Sequence, residues 1–148
     1  MPGRSLPIVE RPEEAKLHTW LELAKTFQRI SRGVVTVLND HDITLPQFDV
    51  LATLRFNDGA TQQELAERLL VTKGNVCGLI DRLEALGWVE RRPDREDARA
   101  NRLHVTSAGR AKLAKVLPAH DRQVLKALQA LTAEDVKSLR RLLNKLNP

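Results

Sequence analysis

The sequence predicts a mainly α-helical chain that carries one small β-hairpin. Three observations lead there. Apolar residues recur at 3.6-residue spacing through most of the chain. Threonines at 44, 61, 72, 106 and 132 each stand where a hydroxyl cap would open such a run. The period changes between Trp88 and Val105, where extended-looking residues flank a charged loop.

Taken in order, Leu17, Trp20, Leu21, Ala24, Phe27, Ile30, Val34, Val35 and Leu38 mark one face of a long helix. Pro12 suits its first turn, and Gly33 is expected to bend it. Asn39 to Asp42 form a polar turn. Thr44-Leu-Pro-Gln47 combines a cap, an early proline and a glutamine three residues on, so a helix runs from there through Phe48, Leu51 and Leu54 to about Phe56. Asn57-Asp58-Gly59 stops it. Thr61-Gln-Gln-Glu64 repeats the capping pattern for a short helix with Leu65, Ala66 and Leu69. A third helix starts at Thr72 and ends before Gly87, with Val76, Leu79, Ile80, Leu83 and Leu86 as its buried face. Trp88 to Arg91 and Arg102 to Val105 then make a hairpin with a long tip, Arg92 to Asn101. Thr106 opens a helix to about Ala130, with Pro118 as an expected kink. Thr132 caps a last helix whose Val136, Leu139, Leu142, Leu143 and Leu146 form a stripe.

Bulk properties narrow the function. At 148 residues, 42% hydrophobic and 29% charged, the chain has the composition of a folded globular protein. No apolar run reaches the roughly 18 residues of a membrane span, and the N-terminal stretch lacks a signal-peptide core, so a cytoplasmic protein is expected. Cys77 is the single cysteine, which excludes an internal disulfide and a cysteine-zinc site. No catalytic triad, carboxylate pair or phosphate loop stands out, so neither an enzyme nor a cofactor is expected. Net charge is +5, which suits a polyanionic partner, but residues 111–148 hold the excess, with eight basic against three acidic groups. Two Trp, three Phe and no Tyr leave too few aromatics for a base-stacking platform.

Two short helices joined by a tight turn, the second followed at once by a hairpin, are a winged helix-turn-helix. The fold class is thus mainly α with a small β-hairpin wing: a winged helix-turn-helix at 44–110 plus a helical dimerisation region. Residues 1–43 supply an N-terminal arm and dimerisation helix, and 111–148 the C-terminal dimerisation helices. In this arrangement the first short helix braces against the backbone of double-stranded DNA while the second enters the major groove. The buried face of the second leaves Thr72, Lys73, Gly74, Asn75, Cys77 and Gly78 outward. Lys73 can reach guanine O6 and N7, Asn75 a base edge or a phosphate, and the small glycines permit close approach. Taken singly, each is equally an ordinary solvated first-turn residue; the set together favours DNA. Arg82, about two turns on, suits the phosphate backbone or an acidic neighbour. The hairpin region carries Arg91, Arg92, Arg95, Arg99 and Arg102 against Asp94, Glu96 and Asp97, a composition that suits a narrow minor groove and, elsewhere, a solvated self-paired run.

Thr61-Gln-Gln-Glu-Leu-Ala-Glu-Arg-Leu69, Val71-Thr-Lys-Gly-Asn75, Leu79-Ile-Asp-Arg-Leu-Glu-Ala-Leu-Gly-Trp-Val-Glu-Arg91, Asp97-Ala-Arg99 and Leu103-His-Val-Thr-Ser-Ala-Gly109 resemble, in order and spacing over about fifty residues, the multiple-antibiotic-resistance regulator (MarR) family. The resemblance implies a triangular homodimer, terminal helices interleaved at its apex and two winged lobes below. It implies that Arg99 reaches the minor groove and that Asp97 holds the wing tip. Ala98 departs from the family's usual Asp-Arg-Arg. It further implies a repressor on a palindromic operator, released by a small-molecule effector in the cleft between apex and lobe, near Trp20, Phe27, His41 and Phe48. Core packing is the competing role for each of those four. Two other readings stay open. Asp40-His41-Asp42 has metal-ligand chemistry and Cys77 a thiol, so a metal- or thiol-responsive sensor of the same fold is one, although adjacent turn residues rarely converge on an ion. A winged-helix module that binds protein is the other.

Overall fold

The computed structural model describes residues 11–69 and 73–147. Its elements are α1 (Pro12–Asn39), α2 (Leu45–Phe56), β1 (Ala60–Thr61), α3 (Gln62–Leu69), α4 (Lys73–Ala85), β2 (Val89–Pro93), β3 (Asn101–Val105), α5 (Ser107–Leu128) and α6 (Ala133–Leu146). The capping role expected of Thr72 lies outside the described residues.

The capping signals work as paired hydrogen bonds. Thr44 Oγ1 accepts from the Gln47 amide at 3.3 Å while Gln47 Oε1 accepts from the Thr44 amide at 3.0 Å. Thr61 and Glu64 repeat the exchange at 3.2 and 2.8 Å, and Thr132 and Asp135 at 3.2 and 2.9 Å. Each cap contributes about 1 kcal/mol. The amide bonds hold the Glu64 and Asp135 carboxyls below the usual carboxylate range. Between α1 and α2 the chain reverses through Asp42 in the left-handed region, φ 54°. There the His41 ring nitrogen Nδ1 lies 2.8 Å from the Val37 carbonyl, and Lys112 of α5 donates to the His41 carbonyl at 2.5 Å.

The sheet has three antiparallel strands in the order β1-β3-β2. Strand β1 was not expected; at two residues it is too short to show a period, and it exists because Ala60 pairs with Leu103. The hairpin is also longer than expected. Pairing continues to Pro93 opposite Asn101, so the loop between the strands is Asp94 to Ala100.

One core joins these elements. Leu38 at the end of α1, Val50, Leu51 and Leu54 of α2, Leu65 of α3, Val76, Ile80 and Leu83 of α4, Leu103 of β3 and Val116 of α5 are all fully buried. Leu86 is a correction: it is 49% exposed, because α4 ends at Ala85 and the helical period ends with it. Of the α1 stripe only Val34 and Leu38 are buried, and α6 buries no residue. Leu17, Trp20, Leu21 and Phe27 on α1, and Val136, Leu139, Leu142, Leu143 and Leu146 on α6, stand in solvent. Helix α1 packs along α5, and at Gly33 the two come so close that a Cβ would sit 2.3 Å from Gln123 Nε2.

Gly109 fixes where α5 meets the hairpin. A Cβ there would lie 2.1 Å from the Trp88 carbonyl oxygen and 2.8 Å from Val105 Cγ1, and the first of these is backbone that cannot swing away. Thr106 ties the same corner, donating to the Gly87 carbonyl at 2.6 Å and accepting from the Gly109 amide at 3.0 Å. Gly109→Ala should therefore destabilise the fold by about 1–3 kcal/mol, despite the helical preference of alanine. Thermal denaturation checks this: Tm falls by several degrees, whereas an unchanged or higher Tm would mean the corner is looser than the geometry gives.

Candidate nucleic-acid interface

Helix α4 is oriented by its buried side. Val76, Leu79, Ile80 and Leu83 repeat at helical spacing and point into the core. The remaining surface then follows: Gly74, Asn75, Cys77 and Arg82 are exposed and Gly78 half-exposed. A Cβ added at Gly74 or Gly78 would meet nothing within 4 Å, so neither glycine is there to fit the fold. Thr72 lies outside the described residues; Lys73 opens the helix, and nothing is described of its side chain.

The hairpin leaves α4 through a tight helix end. The Gly87 amide donates to the Glu84 carbonyl at 2.8 Å and the Trp88 amide to the Leu83 carbonyl at 3.0 Å, with Gly87 at φ 73°. These two bonds satisfy the last carbonyls of α4 and require a left-handed residue, hence glycine. Helix α4 and the wing are thus only a few residues apart.

Three of the wing arginines are paired within the protein. Arg102 Nε donates to Asp94 Oδ2 at 2.7 Å and its Nη1 to the Gly59 carbonyl at 3.1 Å. The Asp94 carboxyl also accepts the Glu96 amide at 2.9 Å, and these bonds, the amide foremost, hold it below the usual range. Arg92 pairs with Glu90. Arg91, counted above with the wing arginines, turns back instead onto α3 and α4, where it meets Gln62, Asp81 and Glu84. Burial works against its charge, but the two carboxylates outweigh that and hold its pKa above the ordinary value. The i, i+3 spacing of Asp81 and Glu84 on α4 was the available signal for this network.

That leaves the tip. Asp97 Oδ1 accepts the Arg99 amide at 2.9 Å, and the Ala100 amide returns to the Asp97 carbonyl at 3.0 Å. Arg95 and Arg99 are exposed, and their guanidinium groups have no partner among the described residues. Arg99, Asp97, Ala100 and Asn101 face Thr61, Gln62 and Gln63 across a cavity of about 340 Å³, so the wing tip stands over the start of α3.

A second cavity, also about 340 Å³, opens between α2, α3 and α4. Leu45, Pro46, Leu69 and Leu79 give it apolar walls, with Asp49, Asn75 and Arg82 as polar groups. Burial pushes the Asp49 carboxyl up, partly offset by His120. The four residues expected near an effector cleft are dispersed. Phe48 is buried and stacks on His120 at 4.4 Å; His41 sits in the α1–α2 turn; Trp20 and Phe27 are 63% and 70% exposed on α1. Among the described residues no cluster of three metal-ligating side chains forms, and no helix is long and apolar enough to cross a membrane.

Comparison with known proteins gives this geometry a family. Residues 41–100 match the family described as the MarR family. The chain is 29% identical over 136 residues to the HTH-type transcriptional regulator YkoM of Bacillus subtilis, spanning 92% of this chain and 88% of that one. It is 26% identical over 127 residues to the HTH-type transcriptional regulator PecS of Dickeya dadantii, spanning 84% and 76%. Among solved structures it is similar to a mutant MarR of E. coli complexed with operator DNA, with TM-score 0.84, 29% identity, and 93% and 99% of the two chains covered. Wild-type E. coli MarR in the apo form gives TM-score 0.73 at 31% identity over 85% and 94%. With helix-turn-helix, wing and flanking helices all matched, the chain belongs to the MarR family of HTH-type transcription regulators.

Proposed function

We propose that this chain is a cytoplasmic, ligand-responsive repressor that binds a palindromic operator in double-stranded DNA as a homodimer. The observation that carries the DNA reading is the bare outer surface of α4. A glycine in a helix interior, as Gly78 is, costs about 1 kcal/mol relative to alanine, and both Gly78 and Gly74 in the first turn have open space around them. A fold gains nothing from them, but a duplex seated on α4 needs the room. Asn75 then reads a base edge or phosphate, Cys77 packs as a small residue, and Lys73 and Thr72 meet the duplex at the helix start. Arg95 and Arg99 enter the adjacent minor groove, with Asp97 holding the tip. The operator complex of the E. coli relative supports this reading.

The homodimer follows from exposed apolar surface. Helix α6 presents Val136, Leu139, Leu142, Leu143 and Leu146 to solvent, and the N-terminal half of α1 presents Leu17, Trp20, Leu21 and Phe27. Burying each such side chain is worth about 1.5–3 kcal/mol, and a second copy supplies matching stripes through two-fold symmetry. Two α4 helices held about one helical turn of DNA apart fit a palindromic site. An effector would act where apolar walls and a few polar groups meet beside α4, and the cavity containing Asp49, Asn75 and Arg82 has that character. A ligand there would compete with Asn75 and Arg82 for their DNA contacts and shift the protein toward its unbound arrangement.

The test of the DNA face separates folding from binding. Gly78→Ala should raise Tm slightly, by up to about 1 kcal/mol of stability, yet weaken binding to duplexes recovered by selection from a random library by at least about tenfold, a loss of roughly 1.4 kcal/mol. Affinity that rises or holds with the added methyl would mean that α4 does not approach DNA on this face. For the dimer, the unmodified chain should sediment as a dimer at micromolar concentration. Leu139→Glu combined with Leu142→Glu should sediment as a folded monomer with duplex binding reduced to the non-specific level, on the order of 10⁻⁴–10⁻⁶ M. A monomeric unmodified chain would overturn that part of the proposal.

A further inference from the structure

Strand β2 carries one side chain that contacts two helices at once. The Arg91 peptide N–H donates to Glu84 Oε1 at 2.9 Å, and its Nη1 donates to Glu84 Oε2. Nη2 meets Asp81 Oδ1 at 2.7 Å and the Cys77 carbonyl at 3.4 Å, while Nε donates to Gln62 Oε1 at 3.0 Å. Every nitrogen of the guanidinium has an acceptor, and the side chain is 17% exposed. Gln62 belongs to α3, Cys77, Asp81 and Glu84 to α4, and Arg91 itself to the wing.

We propose that Arg91 is a positioning residue: it sets the angle between α4 and the wing so that both reach the duplex together. The inference rests on the DNA-binding reading above. The wing leaves α4 through Gly87, a hinge-like residue, and its base is held by the buried Val89, Leu103 and Val105. Apolar contacts at the base resist unfolding but hold direction weakly, since they are not directional. Arg91, paired in register opposite Leu103 at the outer end of that base, supplies directed bonds. Along a strand rising ~3.3 Å per residue, the tip lies about 15 Å beyond Arg91, so a rotation of about 10° displaces it by about 2.6 Å. Against a minor groove ~6 Å wide, that displacement is enough to misplace Arg99.

The same bonds have an electrostatic consequence. Asp81 follows Gly74 and Cys77 along α4 at i+7 and i+4, on the exposed side, and its side chain is 62% exposed. Unpaired, it would repel the phosphates that α4 approaches. Arg91 neutralises it from behind. Lysine could not substitute, because one ammonium cannot present the planar fork that meets two carboxylates and an amide oxygen in fixed directions.

The experiment uses Arg91→Lys, which keeps the charge, with Asp81→Asn combined with Glu84→Gln as the change from the partner side. Spin labels at Ala85→Cys on α4 and Ala98→Cys on the wing, in a Cys77→Ser background diluted with unlabelled chain, report the α4-to-wing distance by pulsed electron resonance. Binding of library-selected duplexes is measured with and without Arg99→Ala. Expected results are a Tm close to that of the unmodified chain, a broadened distance distribution, and an Arg99→Ala penalty that falls from about tenfold to less than about threefold once Arg91 is changed. A distance distribution as narrow as in the Arg91 protein overturns the proposal, and so does an undiminished Arg99→Ala penalty. If Arg99→Ala has no effect even with Arg91 intact, the wing reading fails, and the distance distribution alone decides the role of Arg91.

Discussion

The buried face of α4 is the constraint on which the rest of the structure depends. Val76, Ile80 and Leu83 are fully buried where α4 packs on α2, α3 and β2, so the helix has one rotational setting. Turning it by a single residue, about 100°, would bring Cys77 or Asp81 into the core and expose a leucine. That setting selects what faces outward, including two glycines, Asn75, Cys77, Asp81 and Arg82. At both glycines the fold leaves open space where a side chain would be.

Everything after α4 inherits its orientation. The tight helix end at Gly87 directs β2 away from the last turn, Gly109 lets α5 press against that corner, and Arg91 reaches back along α4 to hold the wing. Charges are divided accordingly. Arg91, Arg92 and Arg102 are paired with carboxylates of the lobe, whereas Arg95 and Arg99 at the tip have no such partner among the described residues. Counting arginines treats all five alike; geometry separates Arg95 and Arg99 from the three that are paired.

Much of this was legible in the sequence, for reasons that can be named. The helix starts were legible because caps are local: Thr44 with Gln47 and Thr132 with Asp135 act within one turn. The outward face of α4 was legible because a buried stripe fixes its complement. Strand β1 was not, since its existence depends on Leu103, more than forty residues away. Leu86 was misread because the apolar period runs one residue past the helix. The role of Arg91 was hidden by its neighbours, a run in which every arginine looks alike until the α4 carboxylates are brought beside one of them. The surroundings of the four residues expected near an effector were the least legible. Trp20 and Phe27 lie exposed on α1, Phe48 is in the core, and the cavity beside α4 is built by residues from three helices that no linear spacing connects.

The central claim is that the exposed side of α4 is the surface that meets DNA, and the chain carries its own probe there. Cys77 is the only cysteine, it is exposed, and it lies midway along that surface. The direct measurement is the rate at which a maleimide alkylates Cys77 in the unmodified protein, free and saturated with library-selected duplex. The account predicts that bound duplex slows alkylation by at least about tenfold, as expected for a side chain enclosed in the major groove. An unchanged rate under saturating duplex would contradict it, and would place the DNA on some other face of the molecule.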